Sequence, residues 1–430
     1  MTMDLPLLLV SNKKYEIFEV PDIYLAGKDS IKEPRLPSEN ELIPSPEGLT
    51  PMVLPGCRAV GYNPQSGQME VIDQYQGEEV WAVGGFLPPA YTMTMHAAFK
   101  KKSENFLLPL FAYSALGWGP GGFVSAAVRV DPDPRQDVRR FNEKRINERV
   151  PIMRKKYRKN RLAAHLLDKC CLTYCCPAAR NWVLNRWEAP LPTTPSCNAR
   201  CLGCISLQKD STVPATQNRL EFIPTVNEIT DIAIEHLNTA SKPVVSFGQG
   251  CEGEPLLNAD LIAEAVSYIR RKTSRGTINI NTNGYSPHKI QQLCRAGMDS
   301  FRISMSSAQK TYYERYYSPQ KYGFEDVLES MAVIRNQGKW CSLNYFMFPG
   351  FTDTHREMQA LRAILEKTPV NLIQMRNLNI DPDWYITQVL HDYSEEEGKG
   401  ILEWMVYIKS SFPDLKFGYY NPYLGKKEVK

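Results

Sequence analysis

The chain has 430 residues, of which 43% are hydrophobic and 23% charged, with a formal net charge of +4. That balance allows packed cores for two or three domains, excludes wholesale disorder, and by itself singles out no partner. No run of about 18 apolar residues appears, so no membrane-spanning helix is expected. The opening MTMDLPLLLVSN lacks the basic start and small-residue cleavage site of an export signal. Eleven cysteines in such a chain point to a reducing, cytoplasmic compartment, where clustered thiols hold metal more often than they pair. The odd count also argues against a fully paired framework.

In chain order, residues 1–134 read as a β-rich domain. GCRAVGYNP, QMEVIDQYQ, EEVWAVGGFL and FVSAAVRVD are short apolar runs between Gly and Pro signals. Residues 28–55, rich in Pro, Ser and Glu, read as irregular. SALGWGPGGF is a turn and not a phosphate cradle, because no Lys-Ser/Thr follows it. Residues 135–189 form a basic and Cys-rich helical connector. Pro151 is expected to break its Arg/Lys run (135–161) into two helical pieces, and AAHLLDKCCLTYCCPAARNW follows. Residues 190–380 alternate strand and helix. VVSFG, TININ, SFRIS, SLNYFMF and NLIQMR are strand-like, and five stretches between them repeat apolar residues three and four apart. Gly297 and Gly338 suit left-handed caps. The fold class is α/β, a partial (β/α)6 TIM-like barrel with a β-containing N-terminal domain. Residues 381–430 read as a C-terminal helical extension.

Three cysteines stand within eight positions at the head of the strand–helix series: Cys197, Cys201 and Cys204, spaced C-x3-C-x2-C. A structural zinc site takes four ligands, and four Cys normally hold a [4Fe–4S] cluster. Three leave one position free, for a substrate or cofactor. A zinc knuckle, or three structural cysteines, is the alternative from spacing alone.

The segment Cys197-Asn198-Ala199-Arg200-Cys201-Leu202-Gly203-Cys204 resembles the cluster loop of the radical S-adenosylmethionine (radical SAM) superfamily. The residue before the last Cys is often aromatic there and is Gly203 here. Two further stretches resemble that family's motifs in order: Gly253, Glu254 and Pro255 its Gly-Glu-Pro turn, and Asn281, Thr282, Asn283 and Gly284 the end of its third strand. SFRISMSS resembles the fourth strand, with Arg302, Ser304 and Ser306 as polar candidates. The fifth and sixth strands offer Asn344, Arg376 and Asn377.

The resemblance covers about residues 190 to 380. It implies a [4Fe–4S] cluster on Cys197, Cys201 and Cys204. It also implies S-adenosylmethionine (SAM) bound by Gly253, Glu254, Pro255, Asn281, Asn283, Arg302, Ser304, Ser306, Asn344 and Arg376. Reductive cleavage of SAM to a 5′-deoxyadenosyl radical, hydrogen abstraction from a substrate, and an electron donor such as flavodoxin or ferredoxin follow from it. No catalytic side chain is assigned. The substrate, whether small molecule, peptide or RNA, is open. The other reading is a non-catalytic metal-binding or RNA-binding protein on a degenerate barrel.

Cys170, Cys171, Cys175 and Cys176 form a C-C-x3-C-C group, read either as an auxiliary cluster or redox pair, or as thiols packed from a helix. Cys251 is read as structural. The six His show no metal-ligand pairing such as H-x3-H. The basic run is read either as a phosphate-binding surface or as a solvated helical face; a nucleic-acid partner is not favoured.

Overall fold

The computed structural model describes residues 5–425 except 31, 104, 105, 209–212, 394 and 395. The outer ends of the first and last predicted segments, 1–4 and 426–430, lie outside the described residues.

The first third of the chain is antiparallel sheet. Leu7–Ser11 pairs with Ile17–Leu25, and Ser114–Gly119 forms a hairpin with Gly122–Arg129 whose Gly-rich tip is the expected turn. Residues 28–55 are more regular than expected, because Leu42–Pro44 and Thr50–Leu54 are strands. Thr50–Leu54 has one neighbour, Trp81–Phe86, and on such an edge Pro51 costs no ladder hydrogen bond.

In the connector, Pro151 does not break the helix. Glu143–Lys156 runs through it, because Pro151 and Asn147 are both exposed, so water solvates the carbonyl that loses its donor. The chain breaks instead at Tyr157–Asn160, where the Asn160 side chain accepts from the Ala163 N–H and starts Arg161–His165. Leu166–Thr173 continues as a π-helix, with the Tyr174 N–H donating to the Lys169 carbonyl five residues back.

The second sheet has seven parallel strands in chain order, with no pairing between the first and last: an open, partial barrel. They are Arg186–Pro190, Ser241–Phe247, Thr277–Thr282, Ser300–Met305, Trp340–Met347, Leu372–Asn377 and Lys416–Gly418. The sheet therefore starts before residue 190 and takes its seventh strand from the segment read as a helical extension. That strand is three residues long, too short to show alternation, and it pairs with Leu372–Gln374. The extension also holds the helices Pro382–Val389 and Ile401–Ser411.

Side chains alternate along each strand. Ile278, Ile280, Phe301, Ile303, Leu343, Tyr345, Ile373 and Met375 are buried in the apolar core shared with the helices. Asn279, Asn281, Arg302, Ser304, Asn344, Gln374 and Arg376 have the opposite parity, and the strand register sets them in neighbouring rows of one polar face. The helix after the third strand ends at Gly297, whose φ of 108° is the left-handed cap the sequence implies.

The N-terminal sheet docks on the carboxyl end of the sixth strand. The Asn377 side chain accepts from the Met93 N–H at 2.8 Å and donates to the Tyr91 carbonyl at 3.1 Å. The buried Asp381 carboxylate accepts from Lys101 at 2.6 Å and from the Leu108 N–H at 2.8 Å.

His236, on the helix Val226–Thr239, hydrogen-bonds the Trp187 carbonyl at 2.7 Å, and burial depresses its pKa to about 4. Unfolded His titrates near 6.5. The unfolded chain therefore binds more protons between those values, and this stability is present above pH 6.5 and lost as pH falls through 4. Thermal unfolding from pH 7 to pH 4 should show the loss, at most about 3 kcal/mol from this site. His236→Gln, which keeps a donor for Trp187, should reduce the pH dependence.

Candidate active site around the three-cysteine loop

The cysteine loop leaves the carboxyl end of the first core strand, and the Gly-Glu-Pro turn leaves the end of the second. Two backbone hydrogen bonds join them: Gly253 N–H to the Thr194 carbonyl and Glu254 N–H to the Ser196 carbonyl, both 2.8 Å. A Cβ on Gly253 would stand 1.8 Å from the Ser196 oxygen, so only glycine allows this approach.

Glu252, which sequence reasoning passed over, locks the same junction. Its buried carboxylate accepts from the Thr193 N–H and hydroxyl, the Thr194 N–H, the Gly248 N–H and the Gln249 N–H, at 2.6–3.1 Å. Burial pushes its pKa up to about 7 against these donors. A local signal existed: an acidic residue within a Gly-rich turn between buried strands has backbone donors to collect.

Glu254 ties the turn to the third strand. It accepts from the Thr282 hydroxyl, the Asn283 N–H at 2.8 Å and the Leu256 N–H at 3.0 Å, and burial raises its pKa to about 7. Pro255 is buried and opens the short turn Pro255–Asn258. Asn283 reaches back to the cysteine loop, donating to the Asn198 side chain at 2.8 Å, while Asn281 donates to the Gly248 carbonyl at 2.9 Å. The loop's far side is held by Lys310–Tyr317: Arg200 and Leu202 donate to the Tyr317 and Tyr316 carbonyls at 2.8 and 2.9 Å. At Gly203 a Cβ would lie 2.9 Å from the Tyr316 hydroxyl, so Tyr316 fills the space beside the last cysteine.

The remaining predicted residues line the polar face. Arg302 is half-buried and donates to the Gln374 side chain at 2.9 Å; burial and the charge of Arg376 lower its pKa to about 9. Arg376 donates to the Tyr419 carbonyl at 2.7 Å and stacks 3.7 Å above the Tyr419 ring. Ser304 and Asn344 stand opposite each other in register, both half-buried. The Ser306 hydroxyl is buried without a hydrogen-bond partner. Asn377, offered by sequence as a further polar group, is instead spent on holding the N-terminal sheet.

Burial pushes the Cys197 thiol up to about 11 and the Cys201 thiol well above its ordinary value, with the neighbouring cysteine sulfurs adding to the second shift. Arg219 donates to the Cys204 sulfur at 3.4 Å. Among the described residues, the three sulfurs do not join any His, Cys, Asp or Glu in a set whose ligand atoms all lie within 4.8 Å, as a single tetrahedral ion would need. Three half-buried thiols on one braced loop, outside any single-ion set among the described residues, fit a [4Fe–4S] cluster, which takes each cysteine on a different iron.

The members of the C-C-x3-C-C group differ in exposure. Cys170 and Cys171 are buried in the π-helix and Cys175 is exposed beside Arg180, whose Nη2 stands 2.9 Å from its sulfur. Among the described residues, five of the twelve Arg and Lys in the basic run are paired: Arg135 with Asp133, Arg139 with Glu47, Arg154 with Asp168, Lys156 with Glu235 and Arg161 with Glu228. Those guanidinium and ammonium groups are held by carboxylates and not presented as a phosphate-binding row.

The sequence of residues 191–361 matches the Radical SAM superfamily. Those residues hold the three-cysteine loop, the Gly-Glu-Pro turn and the core strands from Ser241–Phe247 to Trp340–Met347. That superfamily uses a [4Fe–4S] cluster and SAM. No curated protein matches the chain. Among solved structures, it is similar to HydG, a maturase of the [FeFe]-hydrogenase, at 16% identity over 64% of this chain and 66% of that one, TM-score 0.38. It is also similar to anSMEcpe with bound AdoMet (16%, 45% and 52%, TM-score 0.35). A third is SuiB of Streptococcus suis bound to precursor peptide SuiA (12%, 63% and 62%, TM-score 0.39). The chain spans about half to two-thirds of the length of these three.

Removing Glu252 leaves five donors of the loops after the first and second core strands without their acceptor. Glu252→Ala should lower stability by at least about 2 kcal/mol in urea unfolding, with reduced iron content after anaerobic reconstitution. Unchanged stability and iron would show that the loops do not depend on this carboxylate.

Proposed function

We propose that the chain is a radical SAM enzyme whose Cys197, Cys201 and Cys204 hold a [4Fe–4S] cluster and whose neighbouring strand ends hold SAM. The observation that carries this is the three-thiol loop braced on the Gly-Glu-Pro turn, its sulfurs outside any single-ion set among the described residues. When bound, the cluster supplies the electron that cleaves SAM to methionine and a 5′-deoxyadenosyl radical, which takes hydrogen from a substrate.

The chain's own residues hold and orient. Arg219 donates to the Cys204 sulfur and so orients it. The Gly253–Pro255 turn offers backbone carbonyls to a cationic amine, and Glu254 acts as a positioning residue, since three protein donors already occupy it. Asn281 and Asn283 hold the loops in register. Arg302, Ser304, Ser306, Asn344 and Arg376 line the face on which the ribose, the carboxylate and the substrate would lie. Arg302 meets a neutral partner, Gln374, so it retains charge for an anionic group.

The antiparallel N-terminal sheet, fixed at Asn377 and Asp381, sits at the carboxyl end of the sixth strand. There it would act as a substrate platform that keeps water from the radical. Reduction requires an external electron donor. In the non-catalytic RNA-binding alternative the basic run would face phosphates, but five of its twelve Arg and Lys already meet carboxylates.

The test is 5′-deoxyadenosine formation. Anaerobically reconstituted protein given SAM and dithionite should release it, while Cys201→Ala should reduce the yield at least tenfold. Equal yields from the two proteins would refute the assignment.

A further inference from the structure

His165, Cys170 and Cys251 bring one ligand atom each within 4.8 Å of one another, at a place the radical chemistry does not use. They come from two distant parts of the chain. His165 and Cys170 are five residues apart, a spacing that an ordinary α-helix would turn to different sides. The π-helix Leu166–Thr173 bonds residues five apart and so aligns them. Cys251 comes from the turn after the second core strand, two residues before Gly253, and its sulfur stands 3.9 Å from that of Cys170.

We propose that His165, Cys170 and Cys251 bind a single zinc-type divalent ion, with Cys176, whose sulfur stands outside that 4.8 Å set, turning in as the fourth donor. Zinc–sulfur bonds of about 2.3 Å in a tetrahedron put two sulfurs about 3.8 Å apart, and the observed separation matches. A [4Fe–4S] cluster binds each cysteine through a different iron and needs wider spacing. Cys170 and Cys251 are 2% and 6% exposed, a burial that suits a structural ion. The His165 imidazole faces the Cys251 sulfur, close enough to interact with it. The Cys176 N–H donates to the Cys170 carbonyl at 2.8 Å, which fixes Cys176 against the trio. Cys176 is the N-cap residue of the helix Pro177–Val183.

The ion would pin the connector to the Gly-Glu-Pro turn from behind. This site stands independently of SAM cleavage, and its test reads metal and not activity. In the full-length chain, Cys197, Cys201 and Cys204 are first changed to Ser to remove the cluster ligands. Titration with Co2+ should then give one equivalent with a thiolate-to-cobalt charge-transfer band and tetrahedral ligand-field bands, displaced by Zn2+. Adding His165→Ala, Cys170→Ser or Cys251→Ser should each weaken binding at least tenfold, and Cys175→Ser should not. Absence of the bands, equal loss in Cys175→Ser, or a Cys170–Cys251 disulfide in alkylated protein analysed by mass would each overturn the proposal. If the added variants fail to fold, the titration of the triple variant still decides, because it alone must show one tetrahedral, thiolate-bound equivalent.

Discussion

Everything at the candidate site depends on one close approach, the pairing of Thr194–Ser196 with Gly253–Glu254. Two backbone hydrogen bonds make it, the missing Cβ of Gly253 permits it, and two buried carboxylates on either side of that glycine enforce it. Glu252 gathers donors from the loops after the first and second core strands. Glu254 extends the connection to the third. Without this brace the loop would keep its bonds to Lys310–Tyr317 but lose its backbone hold on the turn after the second core strand.

The brace is costly to build, which explains its chemistry. Two carboxylates in a low-dielectric setting would each prefer to be neutral, and burial does raise both pKa values to about 7. Eight donors from the backbone and from Thr193 and Thr282 offset that cost. Such convergent, fully satisfied networks rigidify the parts they join. A loop that must present a metal cluster at a fixed distance from a bound cofactor benefits from that rigidity.

Much of this was legible in the sequence, and the losses have physical reasons. The strand–helix alternation, the left-handed cap at Gly297 and the three-thiol loop follow from periodicity, glycine and spacing. The first core strand, Arg186–Pro190, hid because Arg, Trp and Glu break its apolar run, and the seventh because three residues show no period. Pro151 misled because its cost depends on whether the freed carbonyl meets water. The convergence of His165 and Cys170 with Cys251 was invisible: it needs a π-helical turn and a contact over 81 positions. Glu252 was missed because its role lies in what it accepts and not in any motif.

The central claim is that three protein thiolates leave one cluster iron open to SAM. Electron paramagnetic resonance of the anaerobically reduced protein tests it directly, with SAM carrying 15N at the methionine amino group. The account predicts a cluster signal that changes when SAM is added and shows hyperfine coupling to that nitrogen. A signal that SAM leaves unchanged, with no coupling, would contradict it.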